Sequence, residues 1–158
     1  MPSSRKKVSE FNIRVYGLVI NPEKEILLTD EYRLEQYMTK FPGGGLEKGE
    51  GTVDCLRREF MEEMQQKIHS ISHYYTTDFY QKGWFYENMQ LISIYYKVQL
   101  ERPEQLPKSK KKFDFNTKNE NPQSFRWASI KNLNEDELTF PIDRVVLKML
   151  KQELVDNY

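Results

Sequence analysis

A run of three glycines leads into a helical pattern in the first half of this chain of 158 residues. The glycines, 43–45, follow Pro42, and consecutive glycines suit a backbone that turns sharply or passes close to a ligand. From Thr52 to about Gln66 the sequence predicts a helix with Thr52 as its N-cap. The apolar residues expected to face the core at helical spacing are Val53, Leu56, Phe60 and Met64. This loop and helix constrain the fold more than any other segment.

The predicted helix carries three carboxylates on a second face. Glu59, Glu62 and Glu63 stand at positions i, i+3 and i+4, so their side chains share one side of the helix. Carboxylate oxygens are the ligands that hard cations such as Mg²⁺ and Mn²⁺ prefer. The alternative is a solvated acidic face balanced by Arg57, Arg58 and Lys67, and the helix by itself favours that alternative.

The composition excludes several classes of protein. Apolar residues make up 38% of the chain and charged residues 30%, as in a globular protein. The formal net charge is +0, so no chain-wide field attracts nucleic acid or an anionic membrane. No apolar run reaches the roughly 18 residues of a membrane-spanning helix. The one cysteine, Cys55, excludes an internal disulfide, and we expect a cytoplasmic protein.

Strand and helix patterns alternate along the chain and predict an α/β fold, with a mixed β-sheet covered by helices on both faces. One domain is expected over residues 11–158, preceded by a flexible tail over 1–10. Pro141 is expected in the first turn of a second helix, and the lysine-rich stretch 101–122 is expected to be a mobile or functional loop. The predicted strands are 11–20, 25–29, 37–41, 71–80, 89–100 and 124–130.

The glycine loop and the acidic helix together resemble the signature of the Nudix hydrolase family. That signature runs G, five residues, E, seven residues, R-E-U-x-E-E-x-G-U, where U is a bulky apolar residue. The matching residues are Gly44, Glu50, Arg58, Glu59, Phe60, Glu62 and Glu63. Gln65 and Gln66 depart from the pattern, and Gln65 is expected to continue the helix where the family's glycine would end it. The resemblance implies a Nudix-type α/β/α sandwich, and flanking segments are similar to MutT-type members.

The resemblance also implies a metal centre. Glu59, Glu62 and Glu63 would be catalytic residues that bind Mg²⁺ or Mn²⁺. A backbone carbonyl at Gly43 or Gly44 would assist them. The metal would hold a diphosphate, neutralise charge in the transition state and activate water.

Supporting roles follow from the same resemblance. Arg58 would orient the glutamates, and Glu50 would brace the loop against the helix or join the outer metal shell. A further catalytic carboxylate often comes from the loop before the last strand, and Glu120 is the candidate here. A solvated loop glutamate is an equally good interpretation of Glu120.

Substrate binding is expected at Lys40, Gly45 and Asp143. Each of these three assignments has an alternative. Gly45 stands where MutT-type enzymes carry a basic residue, and Lys40 can be an ordinary sheet residue. Asp143 can instead stabilise the N-terminus of the last helix. The aromatic residues 84–86 can stack on a base or simply pack together.

The resulting hypothesis is a metal-dependent hydrolase that cleaves the pyrophosphate bond of a nucleoside diphosphate linked to another group, with a nucleoside triphosphate as the favoured substrate. The alternatives are a nucleotide-sugar or ADP-ribose pyrophosphatase and a non-catalytic ligand sensor of the same fold. The expected partner is a small-molecule nucleotide, with no membrane and no stable nucleic-acid partner. The chain is expected to be a monomer or a homodimer.

Overall fold

A computed structural model of the protein describes residues 8–106 and 109–157, which form seven strands and two α-helices. The strands are β1 (Glu10–Val19), β2 (Glu25–Arg33), β3 (Gln36–Lys40), β4 (Gly43–Gly45), β5 (Ile68–Thr76), β6 (Met89–Leu100) and β7 (Gln123–Ser129). The helices are α1 (Thr52–Met64) and α2 (Pro141–Asp156). Residues 1–7 of the predicted tail lie outside the described residues, and so does Lys108 in the lysine-rich stretch. No described helix is both long enough and apolar enough to cross a bilayer.

The strands divide into two sheets. One has four strands in the order β4-β1-β6-β5, and β1 runs parallel to β6 while the other pairs are antiparallel. The second has three antiparallel strands in the order β3-β2-β7. The predicted mixed α/β fold is therefore confirmed. Its division into two sheets was not foreseen, because strand spacing along a chain does not show where a sheet ends.

The two helices lie on opposite faces of the first sheet, one on each side of β1. Alternate side chains of a strand point to opposite faces. Val15 and Val19 belong to a buried cluster with Phe60 of α1, whereas Tyr16 and Leu18 belong to a second cluster that includes residues of α2. Each helix therefore covers its own side of the sheet, as the α/β/α arrangement requires.

The start of α1 differs from the prediction. Gly51, not Thr52, is the N-cap, and its backbone N–H donates to Asp54 Oδ2 at 2.9 Å. Thr52 is the first helical residue, and its hydroxyl shares a hydrogen bond of 2.6 Å with the Tyr96 hydroxyl on β6. The aspartate at the third position of the helix supplies the cap, so the threonine is free to bond to the sheet.

The end of α1 also differs. The helix stops at Met64 because Gln65 adopts a left-handed conformation, with φ 52° and ψ 40°. Gln66 is buried, donates from Nε2 to the Arg102 carbonyl at 2.6 Å and accepts from the Arg102 N–H at 3.0 Å. The expectation that Gln65 continues the helix is wrong, because Gln66 binds the chain beyond β6 and the turn must close one residue earlier.

Two strands, β2 and β5, have limits that differ from the prediction because of the strands with which they pair. β2 was predicted to stop at Thr29 but runs to Arg33, which pairs with Gln36 across a two-residue turn. β5 was predicted at 71–80 but runs from Ile68, whose partner is Leu100 on β6, to Thr76. In both cases the neighbouring strand supplies the hydrogen bonds that set the limit.

The stretch 101–122 is anchored to the second sheet. Asp30 of β2 is fully buried and pairs with Arg126 Nε at 2.8 Å. The same carboxylate accepts a hydrogen bond of 3.1 Å from the Phe113 backbone N–H. This contact ties the lysine-rich stretch to the sheet, so the described part of that stretch is not a free loop.

Candidate active site

The glycine strand lies directly against a carboxylate of α1. A Cβ added at Gly44 would come within 2.3 Å of the Glu59 carboxyl carbon. At Gly43, φ is +149° and an added Cβ would lie 2.1 Å from the Val15 carbonyl oxygen on β1. Gly43 therefore requires glycine, and any side chain at Gly44 would displace the Glu59 carboxylate. The absence of these two side chains allows β4 to bring Glu59 beside the backbone of the loop.

Arg58 connects the loop to the acidic face of α1. Its Nε and one terminal nitrogen donate to the two Glu50 oxygens at 3.0 and 2.7 Å. The other terminal nitrogen donates to Glu59 Oε1 at 2.9 Å and to Glu62 Oε2 at 3.3 Å. Arg58 also donates to the Gly45 carbonyl at 3.0 Å. One guanidinium thus offsets part of the negative charge of three carboxylates and fixes where they lie.

The charge of Glu50 is strongly stabilised by this arrangement. The hydrogen bond from Arg58, helped by one from the Glu47 backbone, lowers the pKa of Glu50 to about 2. The Glu50 carboxylate in turn raises the pKa of Arg58. Arg58 and Glu50, the residues expected to orient the glutamates and brace the loop, thus form the most strongly bonded charged pair beside α1.

Glu63 is the carboxylate least supported by hydrogen bonds. Its Oε2 atom is buried and has no hydrogen-bond partner among the described residues. Burial raises the pKa of Glu63 to about 7, although the nearby Lys40 ammonium opposes this shift. A buried carboxylate oxygen without a partner is costly unless a proton or a cation occupies the place beside it.

The donor atoms fit a hard divalent cation. Glu59, Glu62 and Glu63 offer carboxylate oxygens, and the neighbouring loop offers backbone carbonyls, so the donor set contains oxygen alone. The unpartnered oxygen of Glu63 also favours a cation. Within residues 8–106 and 109–157, however, no three acidic, histidine or cysteine side chains are gathered closely enough to hold a metal ion.

A cleft of about 280 Å³ lies beside these carboxylates and is lined by both sheets and by the start of α2. The predicted site residues that line it are Lys40, Gly44, Gly45, Glu59, Glu63 and Asp143. Glu62 is not among the lining residues, and its side chain is 59% exposed. Glu120 is exposed and is also absent from the lining residues, so its assignment as a catalytic carboxylate remains a prediction.

Lys40 and Asp143 are both buried in the walls of this cleft. The Lys40 ammonium lies 3.6 Å from Glu31 Oε2. Asp143 accepts a hydrogen bond of 2.5 Å from the Tyr95 hydroxyl at Oδ1, while its Oδ2 has no partner among the described residues. Burial raises the pKa of Asp143 to about 6. Asp143 is therefore more than a charge at a helix end, because it presents an unsatisfied acceptor inside the cleft wall.

Sequence reasoning missed several lining residues. Glu31 and Arg33 line the cleft from the part of β2 that lies beyond the predicted strand 25–29. Had that strand been extended, the alternation of β2 would have placed both on one face. Phe140 lines the cleft too, and its ring lies 5.3 Å from that of Trp84 in an edge-to-face contact. No sequence pattern links those two aromatic residues.

The aromatic residues 84–86 form one wall of the cleft. Trp84 donates from its indole nitrogen to Gln36 Oε1 at 2.9 Å. The Arg33 guanidinium lies over the Phe85 ring, 5.9 Å from its centroid. These contacts hold the connection between β5 and β6 against the β2–β3 hairpin.

This fold, with a glycine strand and an acidic helix beside a cleft, is that of a Nudix hydrolase. The NUDIX domain model matches residues 10–149, and the chain belongs to that family. It is a Nudix hydrolase, a family that generally uses divalent metal ions and acts on small-molecule nucleotides.

Solved structures share the fold at low sequence identity. A MutT structure from work on Aliivibrio salmonicida and Vibrio cholerae matches with a TM-score of 0.58 and 17% identity, over 90% of this chain and 98% of the other. A Nudix hydrolase from Nitrosomonas europaea matches with a TM-score of 0.64 and 16% identity, over 90% and 88%. The E. coli ORF135 protein matches with a TM-score of 0.61 and 16% identity, over 88% and 87%. No curated protein matches the sequence.

Proposed function

We propose that this Nudix hydrolase cleaves the pyrophosphate bond of a nucleoside triphosphate with the help of Mg²⁺ or Mn²⁺. The observation that carries the proposal is the composition of one cleft. Glu59 and Glu63 lie at one side of it, basic side chains line its walls, and aromatic residues close another side. A polyphosphate needs the first two features and a nucleobase suits the third.

The glutamates of α1 would hold the metal, with a carbonyl of the glycine strand. Glu63 has a buried oxygen with no partner, and Glu59 lies against Gly44. A bound divalent cation would polarise the phosphoryl oxygens and lower the pKa of a water molecule. Arg58 would keep Glu59 and Glu62 ionised and in place.

The remaining side chains would bind and orient the nucleotide. Lys40 would place its buried ammonium near phosphate oxygens. Asp143 would accept a hydrogen bond from the edge of a base, through the oxygen that has no protein partner. Hydrolysis then forms a bond from water oxygen to phosphorus and breaks the bond from phosphorus to the bridging oxygen. The proton of the water leaves to a base that the arrangement does not single out.

The decisive experiment is a panel of nucleoside triphosphates, nucleotide sugars and ADP-ribose, incubated with Mg²⁺ or with Mn²⁺. The products of the best substrate identify the bond that is cleaved. We expect a nucleoside monophosphate and pyrophosphate from a triphosphate. Turnover only of a nucleotide sugar or ADP-ribose would replace the triphosphate proposal. Binding of nucleotides without any hydrolysis would contradict the proposed enzymatic activity and favour a sensor.

A further inference from the structure

Arg14 and Gly45 lie directly opposite each other where β1 pairs with β4. Side chains of directly opposed residues share one face of a sheet, with Cβ atoms about 4.5–5.5 Å apart. Gly45 has no side chain, so Arg14 alone occupies this position on the face. A Cβ added at Gly45 would meet just one group within 4 Å, the Arg14 terminal nitrogen at 3.7 Å.

The Arg14 side chain is bonded to the protein through its Nε atom. Its Nε donates a hydrogen bond of 2.7 Å to the Tyr16 hydroxyl, and its central carbon lies 5.7 Å from the centroid of the Tyr16 ring. Within the described parts of the chain, its two terminal nitrogens have neither a hydrogen-bond acceptor nor an ion-pair partner. Glu59 and Glu31 are near enough to add to the effect of Tyr16 in raising the pKa of Arg14, against burial.

Three other cations near the site are bonded more completely, whereas the side chain of Arg33, which also lines the cleft, has among the described residues only its contact over the Phe85 ring. Arg58 uses all of its nitrogens on carboxylates and a carbonyl, and the buried Arg126 is bonded to Asp30. Lys40 pairs with Glu31. Arg14 is thus a half-buried guanidinium that lines the cleft, with Nε bonded to Tyr16 and two terminal nitrogens that have no partner among the described residues.

We propose that Arg14 is a substrate-binding residue whose terminal nitrogens bind the oxygens of a phosphoryl group, and that glycine at position 45 keeps the space for this contact open. A guanidinium presents parallel N–H groups that match two phosphate oxygens. Arg14 flanks Glu59, so the phosphoryl group it binds lies next to those held at the carboxylates. The proposal rests on the proposed function, since it assumes a substrate with a polyphosphate chain.

The test measures binding of inorganic tripolyphosphate by calorimetry, with and without Mg²⁺, alongside KM and kcat for the best nucleotide. The variants are Arg14→Gln and the matched control Arg102→Gln, an exposed arginine whose backbone alone makes the contacts with Gln66. Arg14→Gln is expected to weaken tripolyphosphate binding about tenfold or more and to raise KM more than it lowers kcat. Arg102→Gln is expected to bind as the wild type does.

Rescue separates a phosphate ligand from a structural role. Gly45→Lys added to Arg14→Gln places a new cation in the space that Arg14 has left, and nothing but Arg14 lies within 4 Å of its Cβ. Partial recovery of tripolyphosphate binding is expected, and a residue that merely supports Tyr16 would not be replaced in this way. Where Arg14→Gln does not fold, Arg14→Lys keeps the charge, loses the planar fork and should weaken binding less.

The two proposals fail differently. If nucleotides are hydrolysed while Arg14→Gln retains wild-type KM and tripolyphosphate affinity, Arg14 is not a phosphate ligand and the proposed function stands. If no nucleotide is hydrolysed but tripolyphosphate binding still depends on Arg14, the enzymatic proposal fails and the Arg14 contact stands. Loss of binding that Gly45→Lys does not recover would contradict the inference.

Discussion

Arg58 binds Glu50 through two separate nitrogens, at 3.0 and 2.7 Å, and so joins α1 to the loop that precedes it. Bidentate pairs of this kind fix orientation as well as charge. The same guanidinium reaches Glu59 and Glu62, so Glu50 acts through Arg58 on the face that we propose to bind the metal. The site therefore depends on a carboxylate that is not expected to touch the substrate.

Glu50→Gln should reduce turnover about tenfold, because the partners that hold metal ligands in place are commonly worth that much. Glutamine keeps the shape and one acceptor but removes the charge that Arg58 binds. The depressed pKa of about 2 also means that wild-type Glu50 keeps its stabilising charge above its ordinary pKa and loses it as pH falls towards 2. The measurement is kcat for the best nucleotide at neutral pH.

Glu47→Gln is the matched control for that variant. Glu47 is exposed, and its Oε1 lies 3.7 Å from Arg58, a longer contact than that of Glu50. Exposed ion pairs contribute little. An equal loss in both variants would mean that general charge around Arg58, and not the bidentate Glu50 contact, supports the site.

Glu62→Gln and Glu63→Gln should each reduce turnover by about 100-fold or more, as is ordinary for groups that stabilise charge in a transition state. Glutamine keeps the size and helix propensity of the side chain and removes a charge that binds or positions the metal. Mg²⁺ and Mn²⁺ titrations should also show weaker binding to Glu63→Gln. Glu120→Gln should lose far less, because Glu120 is exposed and lies outside the lining of the cleft.

Glu87→Gln controls for a change of charge, since Glu87 is exposed and contacts Lys82 at 3.4 Å. It should keep wild-type turnover. Full activity of Glu63→Gln with Mg²⁺, at unchanged metal affinity, would show that the acidic helix is not the metal centre of this protein.

The sequence sufficed for features that are local along the chain. The spacing of Glu59, Glu62 and Glu63 places them on one helical face whatever surrounds the helix. The cleft could not be derived in this way. Glu31 and Arg33 enter it because β3 and β7 extend β2, and Phe140 enters it because it packs against Trp84. Such contacts depend on which strands and loops become neighbours.

The end of α1 illustrates the same limit at one residue. Local propensity favours helix at Gln65, because glutamine is a good helix former. The two hydrogen bonds between Gln66 and Arg102 oppose that preference and outweigh the helix propensity of Gln65. The backbone at Gln65 is then forced into the left-handed region.

Gln65→Gly should therefore stabilise the protein slightly. A left-handed conformation costs a non-glycine residue about 1–2 kcal/mol. Glycine avoids that cost but adds about 0.4–1 kcal/mol of unfolded-chain entropy, and the variant also loses an exposed hydrogen bond to the Glu62 carbonyl. The expected net change is a gain of up to about 1 kcal/mol in the free energy of unfolding, measured by urea denaturation, with kcat unchanged. Gln65→Ala should give no such gain, and a stabilisation by alanine would argue against the conformational explanation.

The last prediction concerns Asp143 and the pH dependence of stability. Burial raises the pKa of this carboxyl to about 6, from an ordinary value of 3.8. Between these values the native state holds a proton that the unfolded chain has lost, so the free energy of unfolding falls as pH rises and levels off above about 6. In Asp143→Asn this group does not titrate, and the Tyr95 hydroxyl can still donate to the amide oxygen. Relative to Asp143→Asn, the wild type should therefore lose about 2 kcal/mol between pH 4.5 and 7.5, measured by urea denaturation.

Asp156→Asn, an exposed change at the far end of α2, controls for a general loss of charge and should follow the wild-type profile. Parallel profiles for wild type and Asp143→Asn would mean that burial does not raise the pKa of Asp143.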